Sequence, residues 1–212
     1  MMPNELTKHL CNSQFQGSEL YHHGILGMHW GQRNGPPYPL NPTTSRSVRK
    51  GIMQQVNSIK NPENLVDFLD SNIEYEDYKH LKSPAELLTS KKGECHSQAY
   101  FTIQQLRKMG KNANGVFFIE YDPLTNQGGQ THSFAYFKDH GTYNWVENAW
   151  GTQKGIHSYP SKQLMLDDVK KRHMQEQKNK NFTKLAIGTF EPNDHKVGEG
   201  LQQLVDICLK SN

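Results

Sequence analysis

Long apolar runs are missing from this sequence. No uninterrupted stretch approaches the roughly 18 residues that suggest a membrane span, and the N-terminal "MMPNELTKHLCNSQF" lacks the apolar centre of a secretory signal. No membrane partner is expected. Cysteine is scarce: the three present, Cys11, Cys95 and Cys208, are too few and too scattered for a disulfide framework. That points to a reducing, cytoplasmic setting in which thiols stay free. Charge of one sign is also lacking. Lys and Arg number 24 against 21 Asp and Glu, for a net charge of +3. The basic residues are dispersed rather than gathered into the stripe a nucleic-acid footprint needs, so no nucleic-acid partner is expected.

Hydrophobic residues are lean at 34%, and mean hydropathy is −0.83. The deficit is uneven. The first fifty residues hold Pro3, Pro36, Pro37, Pro39 and Pro42, half of the ten prolines. "GQRNGPPYPLNPTTSRS" favours turns and extended backbone over packed structure. Residues 1–50 therefore read as an irregular arm, and 51–212 as one domain of ordinary size. Within the arm, "ELYHHGILGMHWGQRNG" sets Tyr21, Ile25, Leu26, Met28 and Trp30 between glycines, which reads as a docking segment near residues 19–40.

The domain begins with helical signals. Asn61 before Pro62 and Ser83 before Pro84 are N-cap and first-turn pairs, and Leu65, Phe68, Leu69 and Ile73 follow at helical spacing. "CHSQAYFTIQQLRKMG" places Ala99, Ile103 and Leu106 on one face and stops at Gly110. The period then changes. "NGVFFIEYD", "QTHSFAYFKD" and "GTYNWVENAW" are aromatic and β-branched runs between turn residues, the last two joined through "KDHG" as an antiparallel hairpin. A polar helix over about 161–177, a strand "KLAIGTF" and an amphipathic helix through "LQQLVDICLK" complete the chain. Helices followed by a contiguous antiparallel sheet give an α+β domain.

Cys95 sits where a glycine-containing turn enters a helix, where unpaired backbone N–H groups and the helix dipole favour a thiolate. Lys91 and Lys92 are near enough in sequence to add to that field. Gly93 permits a tight turn and close approach of a substrate backbone, and the Cys95 amide suits an oxyanion hole. His132 lies 37 residues on in a strand, and Glu147 and Asn148 follow it by 15 and 16 in the next. Nucleophile, base and an orienting third group are thus present in order. Parity admits one of Glu147 and Asn148 to the His132 side. The carboxylate is the better partner for an imidazolium, and Glu147 shares parity with Trp145. His96 adjoins the cysteine, but its side chain is expected to diverge on a helix. His22, His23 and His29 with Cys11 match no zinc spacing, so neither metal nor cofactor is expected. Tyr100, Phe101, Phe117, Phe118, Phe134 and Tyr136 read as core and groove walls.

"SPAELLTSKKGECHSQAYFTIQQLRKMG" with "THSFAYF" and "NWVENAW" resembles the transglutaminase-like family of the papain-type cysteine fold, over about residues 62–165. The resemblance implies Cys95 as nucleophile, His132 as general base and acid, and Glu147 at the acid position, where the family usually has Asp. "ENAWG" is also similar to the Asn-x-Trp-Gly of papain-like peptidases, which selects Asn148 instead. Acyl transfer on a protein or peptide substrate is implied, as deamidation, proteolysis or cross-linking. A second resemblance covers "YHHGILGMHWGQRNGPPYPL", which looks like a segment of phage head-associated proteins. It implies a phage or prophage product, virion-associated through residues 19–40. The competing expectation is a non-catalytic head-associated structural or cargo protein.

Overall fold

The computed structural model describes residues 46–77, 80–122, 124, 127–177, 182–192 and 202–210. The expected docking segment at 19–40, and Cys11, His22, His23 and His29, lie outside the described residues.

Side-chain chemistry explains where the helices begin. α1 (Arg46–Ser58) buries Ile52 and Val56, so the boundary drawn after residue 50 falls within this helix. Asn61 starts α2 (Pro62–Asn72) by accepting from Asn64 N at 2.7 Å. Ser83 starts α3 (Pro84–Ser90) by accepting from Glu86 N at 3.2 Å. In both helices proline takes a first-turn position, where a missing N–H leaves nothing unsatisfied. Between and after them, β1 (Glu74–Tyr75) and β2 (Lys92–Gly93) form a short parallel pair that sets Tyr75 beside Gly93. α4 (Cys95–Lys108) follows at once. It ends in a Schellman arrangement: Gly110 at φ +78, with Gly110 N bonded to Arg107 O and Lys111 N to Leu106 O, each at 3.0 Å. Arg107 then reaches Ala113 O at 2.7 Å and Glu191 at 2.5 Å, tying the helix end to the sheet.

The sheet has five antiparallel strands in the order β6-β5-β4-β3-β7: β3 (Asn112–Asp122), β4 (Gln127–Asp139), β5 (Thr142–Glu147), β6 (Gly155–Tyr159) and β7 (Lys184–Phe190). His140 and Gly141, at φ 46 and 86, form the two-residue turn between β4 and β5, whose left-handed residues match the twist of a hairpin. Two helices complete the described chain, α5 (Lys162–Glu176) and α6 (Gln202–Lys210).

Strand parity divides the core. Phe117, Ile119, Ala135, Phe137, Val146 and Ala186 pack with α1 to α4 and α6 on one face. Val116, Phe118, Phe134, Tyr136, Trp145 and Ile187 pack with Met165 and Val169 of α5 on the other. This two-sided cover is why "VFFI" shows no alternation: consecutive residues of β3 are buried on opposite faces. The domain is α+β as expected, with helices on both sides of the sheet. β6 and the β1–β2 pair are elements the sequence pattern does not announce.

Candidate active site

Cys95 is the first residue of α4, and the residue before it builds the helix start. Glu94 is the N-cap, buried, and accepts from the amides of His96 and Ser97 and from the Ser97 hydroxyl. Ser97 Oγ in turn accepts from Lys82 N at 2.8 Å, and Gln98 Nε2 donates to Gly93 O at 2.9 Å. Burial pushes the Glu94 carboxyl up. Its hydrogen bonds to Ser97 and His96 and the charge of Lys82 pull the other way without cancelling the rise. Lys82 is itself buried, held by Glu76, by Ser90 Oγ at 3.1 Å and by Lys92 O at 2.8 Å. Lys91 and Lys92, expected to bear on the thiol, are exposed, and Lys92 Nζ lies 3.1 Å from Glu74. At Gly93 an added Cβ collides with Leu87 Cδ1, so the glycine lets α3 pack under the start of α4.

His132 lies on β4 opposite Phe118, beyond the last β4–β5 pair, Ala135 with Val146. It shares a face with Phe134 and Trp145, whereas Cys95 comes from the helix on the other face. They meet past the end of β5, where the ring is hydrogen-bonded to the Cys95 side chain. His132 Nε2 is 2.9 Å from Glu147 Oε2, the last residue of β5.

Glu147 is held on every side. Oε2 also accepts from Trp145 Nε1 at 3.2 Å. Oε1 accepts the amides of Asn148 at 3.0 Å, Ala149 at 2.9 Å and Trp150 at 3.0 Å. The "ENAW" run is thus a turn wrapped around its own carboxylate. Burial pushes the Glu147 carboxyl up, but the His132 charge and hydrogen bond and the Trp150 and Ala149 amides outweigh it and hold it below the ordinary range. For His132, burial pushes down, and the Glu147 charge, the Cys95 hydrogen bond and charge and the Glu147 hydrogen bond push up. The balance brings its pKa to about 10. Asn148 does not reach the imidazole in this arrangement: its Nδ2 donates to Thr102 Oγ1 at 3.3 Å.

Cys95 as a residue is only 5% exposed. Cys95, Gln98, Phe134, Glu147 and Asn148 line a closed seam beside the thiol, too tight to hold a water molecule. The rings of Phe118 and Trp150 stand 5.4 and 5.8 Å from that of His132, which limits water around the imidazole. A second carboxylate–imidazole pair was not evident from sequence. Glu120 Oε1 and His173 Nε2, both in buried residues, lie 2.6 Å apart, and the His173 ring packs on the same Phe118 and Trp150 at 4.6 and 5.6 Å. Trp150 Nε1 donates to Glu176 of α5 at 2.8 Å, so α5 braces the wall of the site.

His96 does not diverge from its neighbours as expected. Glu94, Cys95 and His96 bring donor atoms within 4.8 Å of one another. The Glu94 oxygens are committed to the helix cap, and His96 Nδ1 faces Ser133 Oγ at 2.6 Å, which makes the cluster helix-start packing rather than a metal centre. Cys208 is buried with Sγ 3.0 Å from Phe117 O, and burial, opposed by the Gly188 amide and the charge of Lys170, pushes its thiol far up. Of the aromatics expected in the core, Phe101, Phe117, Phe118, Phe134 and Tyr136 are buried and Tyr100 half-buried. No helix among the described residues is long and apolar enough to cross a membrane.

The sequence profile of the Transglutaminase-like superfamily matches residues 43–149, half of the chain and the half that contains Cys95, His132 and Glu147. Among solved structures, one described as the crystal structure of a TGase is 11% identical, at a TM-score of 0.37 over 57% of this chain. The chain spans 37% of that structure's length. No curated protein matches.

Proposed function

This chain belongs to the transglutaminase-like superfamily, and on that premise we propose that it carries out cysteine-dependent acyl transfer on a glutamine side-chain amide or a peptide amide. The observation that carries the reading is one imidazole shared between the Cys95 thiol and a buried carboxylate, Glu147. With Nε2 bonded to Glu147, Nδ1 is the ring nitrogen left for the thiol. With the ring's pKa raised to about 10, it already holds the proton shared with the thiol at neutral pH; the sulfur attacks the carbonyl carbon, and the C–N bond breaks as that proton goes to the departing nitrogen. The imidazolium is stabilised by Glu147, whose carboxyl stays ionised. The His96 and Ser97 amides of the α4 N-terminus are taken by Glu94, which leaves the Cys95 amide as the donor offered to the negative charge that develops on the oxygen.

Water as acceptor gives deamidation or proteolysis, and a lysine amine gives a cross-link. The closed setting of the thiol favours a slender side-chain carboxamide over a folded main chain as acyl donor. Cys95→Ala and His132→Ala are each expected to abolish ammonia release from a glutamine-containing peptide while leaving the circular dichroism spectrum unchanged. Near-normal turnover in either variant rules the mechanism out. The likeness of residues 19–40 to a phage head-associated segment supports a virion or prophage setting, with phage head proteins as partners. Co-sedimentation with particles, lost when 19–40 is deleted, is the matching experiment.

A further inference from the structure

Asn148 is one residue past the carboxylate that holds His132, yet its own amide turns elsewhere. Nδ2 donates to Thr102 Oγ1 at 3.3 Å. The orientation of this amide follows from Thr102. The threonine hydroxyl has one proton, and it goes to Gln98 O at 2.8 Å, so Thr102 Oγ1 meets Asn148 as an acceptor. The Asn148 side chain must then present Nδ2 to Thr102 and Oδ1 away from it. Among the described residues, Oδ1 is buried with no hydrogen-bond partner. A buried carbonyl oxygen without a donor is costly, and such groups are rare in folded proteins. Asn148 lines the same closed seam as Cys95, Gln98 and Glu147, which has no room for a water to serve this oxygen. A group that completes this oxygen's hydrogen bonding must carry an N–H or O–H and part the walls of the seam beside the thiol as it binds.

We propose that Asn148 Oδ1 is a substrate contact that accepts an N–H of the acyl donor's carboxamide, and so makes the site selective for amide donors. The inference rests on the acyl-transfer reading and deepens it. A carboxamide offers two N–H groups on the atom that leaves. As Cys95 Sγ bonds to the carbonyl carbon and the C–N bond breaks, that nitrogen takes the proton from His132 and departs as ammonia. Its N–H groups become stronger donors as charge grows on nitrogen, so the Asn148 contact strengthens toward the transition state. An ester donor has no such N–H.

The test compares two donors that give the same γ-glutamyl thioester on Cys95: a glutamine peptide, which releases ammonia, and the same peptide with a glutamate γ-methyl ester, which releases methanol. Asn148→Ala is expected to lower kcat/KM for the glutamine peptide about tenfold or more, and for the ester by no more than about twofold. Thr102→Val, which removes the acceptor that fixes the amide, is expected to give the same selective loss and keeps the measurement decisive if Asn148→Ala folds poorly. Equal losses on both donors, or none on either, overturn the inference alone. If the wild-type chain releases neither ammonia nor methanol in a Cys95-dependent way, the acyl-transfer reading itself fails, and this inference falls with it.

Discussion

Three loop amides, an indole and an imidazole converge on Glu147. A carboxylate so fixed cannot follow the imidazole if it turns, which makes it an orienting group as well as a counter-charge. Glu147→Gln keeps the shape and removes the charge. It is expected to lower turnover by about two to four orders of magnitude. The pH dependence follows from the same pair. The pKa of His132 is raised from its ordinary 6.5 to about 10, so the stability it contributes is complete below 6.5 and is lost as pH rises through 10. The Glu147 carboxyl is depressed below its ordinary 4.5, so its contribution is complete above that value and is lost as pH falls through the lower folded value. The pair is therefore most stabilising between 4.5 and 6.5. In Glu147→Gln, urea midpoints measured from pH 5 to 10 are expected to show a smaller alkaline decline than in wild type. An unchanged decline contradicts the charge assignment. At this scale Cys95, His132 and Glu147 were legible because each sits in a local pattern: a helix start, a strand, an aromatic-rich strand end. Glu120 and His173 were not, because a pair separated by 53 positions leaves no local trace. Glu94 was missed because a glutamate is not an ordinary N-cap.

Elements were readable where chemistry marks their ends. Asn61–Pro62, Ser83–Pro84 and Gly110 each mark a helix end that the structure contains. β6 was not readable, since "GIHSY" is a five-residue edge strand with little apolar alternation. The side of the sheet taken by α5 was equally hidden, because its sequence is polar all round and its burial rests on Met165, Val169 and His173. The turn between β4 and β5 offers a test of local geometry independent of catalysis. His140 is left-handed without being glycine, and its side chain is 97% exposed, so little is lost by replacing it. His140→Asn creates the Asn-Gly pair preferred for this turn and is expected to raise stability by about 0.5–1 kcal/mol in urea unfolding. A neutral or lower midpoint contradicts the turn assignment.

For the molecule as a whole, the composition shift near residue 50 falls inside α1, because the first residues of that helix are exposed and as polar in sequence as those before them. Ile52, Val56 and Ile59 nevertheless enter the core. A chain beginning at residue 43 is expected to fold and keep activity. One beginning at residue 60 loses three buried side chains, each contributing ~1.5–3 kcal/mol, and is expected to unfold at markedly lower urea. Equal stability of the two chains excludes α1 from the folded unit. The central claim, a thioester on Cys95, is open to one direct measurement: intact and peptide-level mass spectrometry of the full chain quenched in acid during reaction with the γ-methyl ester donor. The expected result is a single acyl mass gain on the peptide containing Cys95, absent in Cys95→Ala and strongly reduced in His132→Ala. An adduct on Cys208 instead, an adduct indifferent to His132, or substrate turnover without any acyl-enzyme contradicts it.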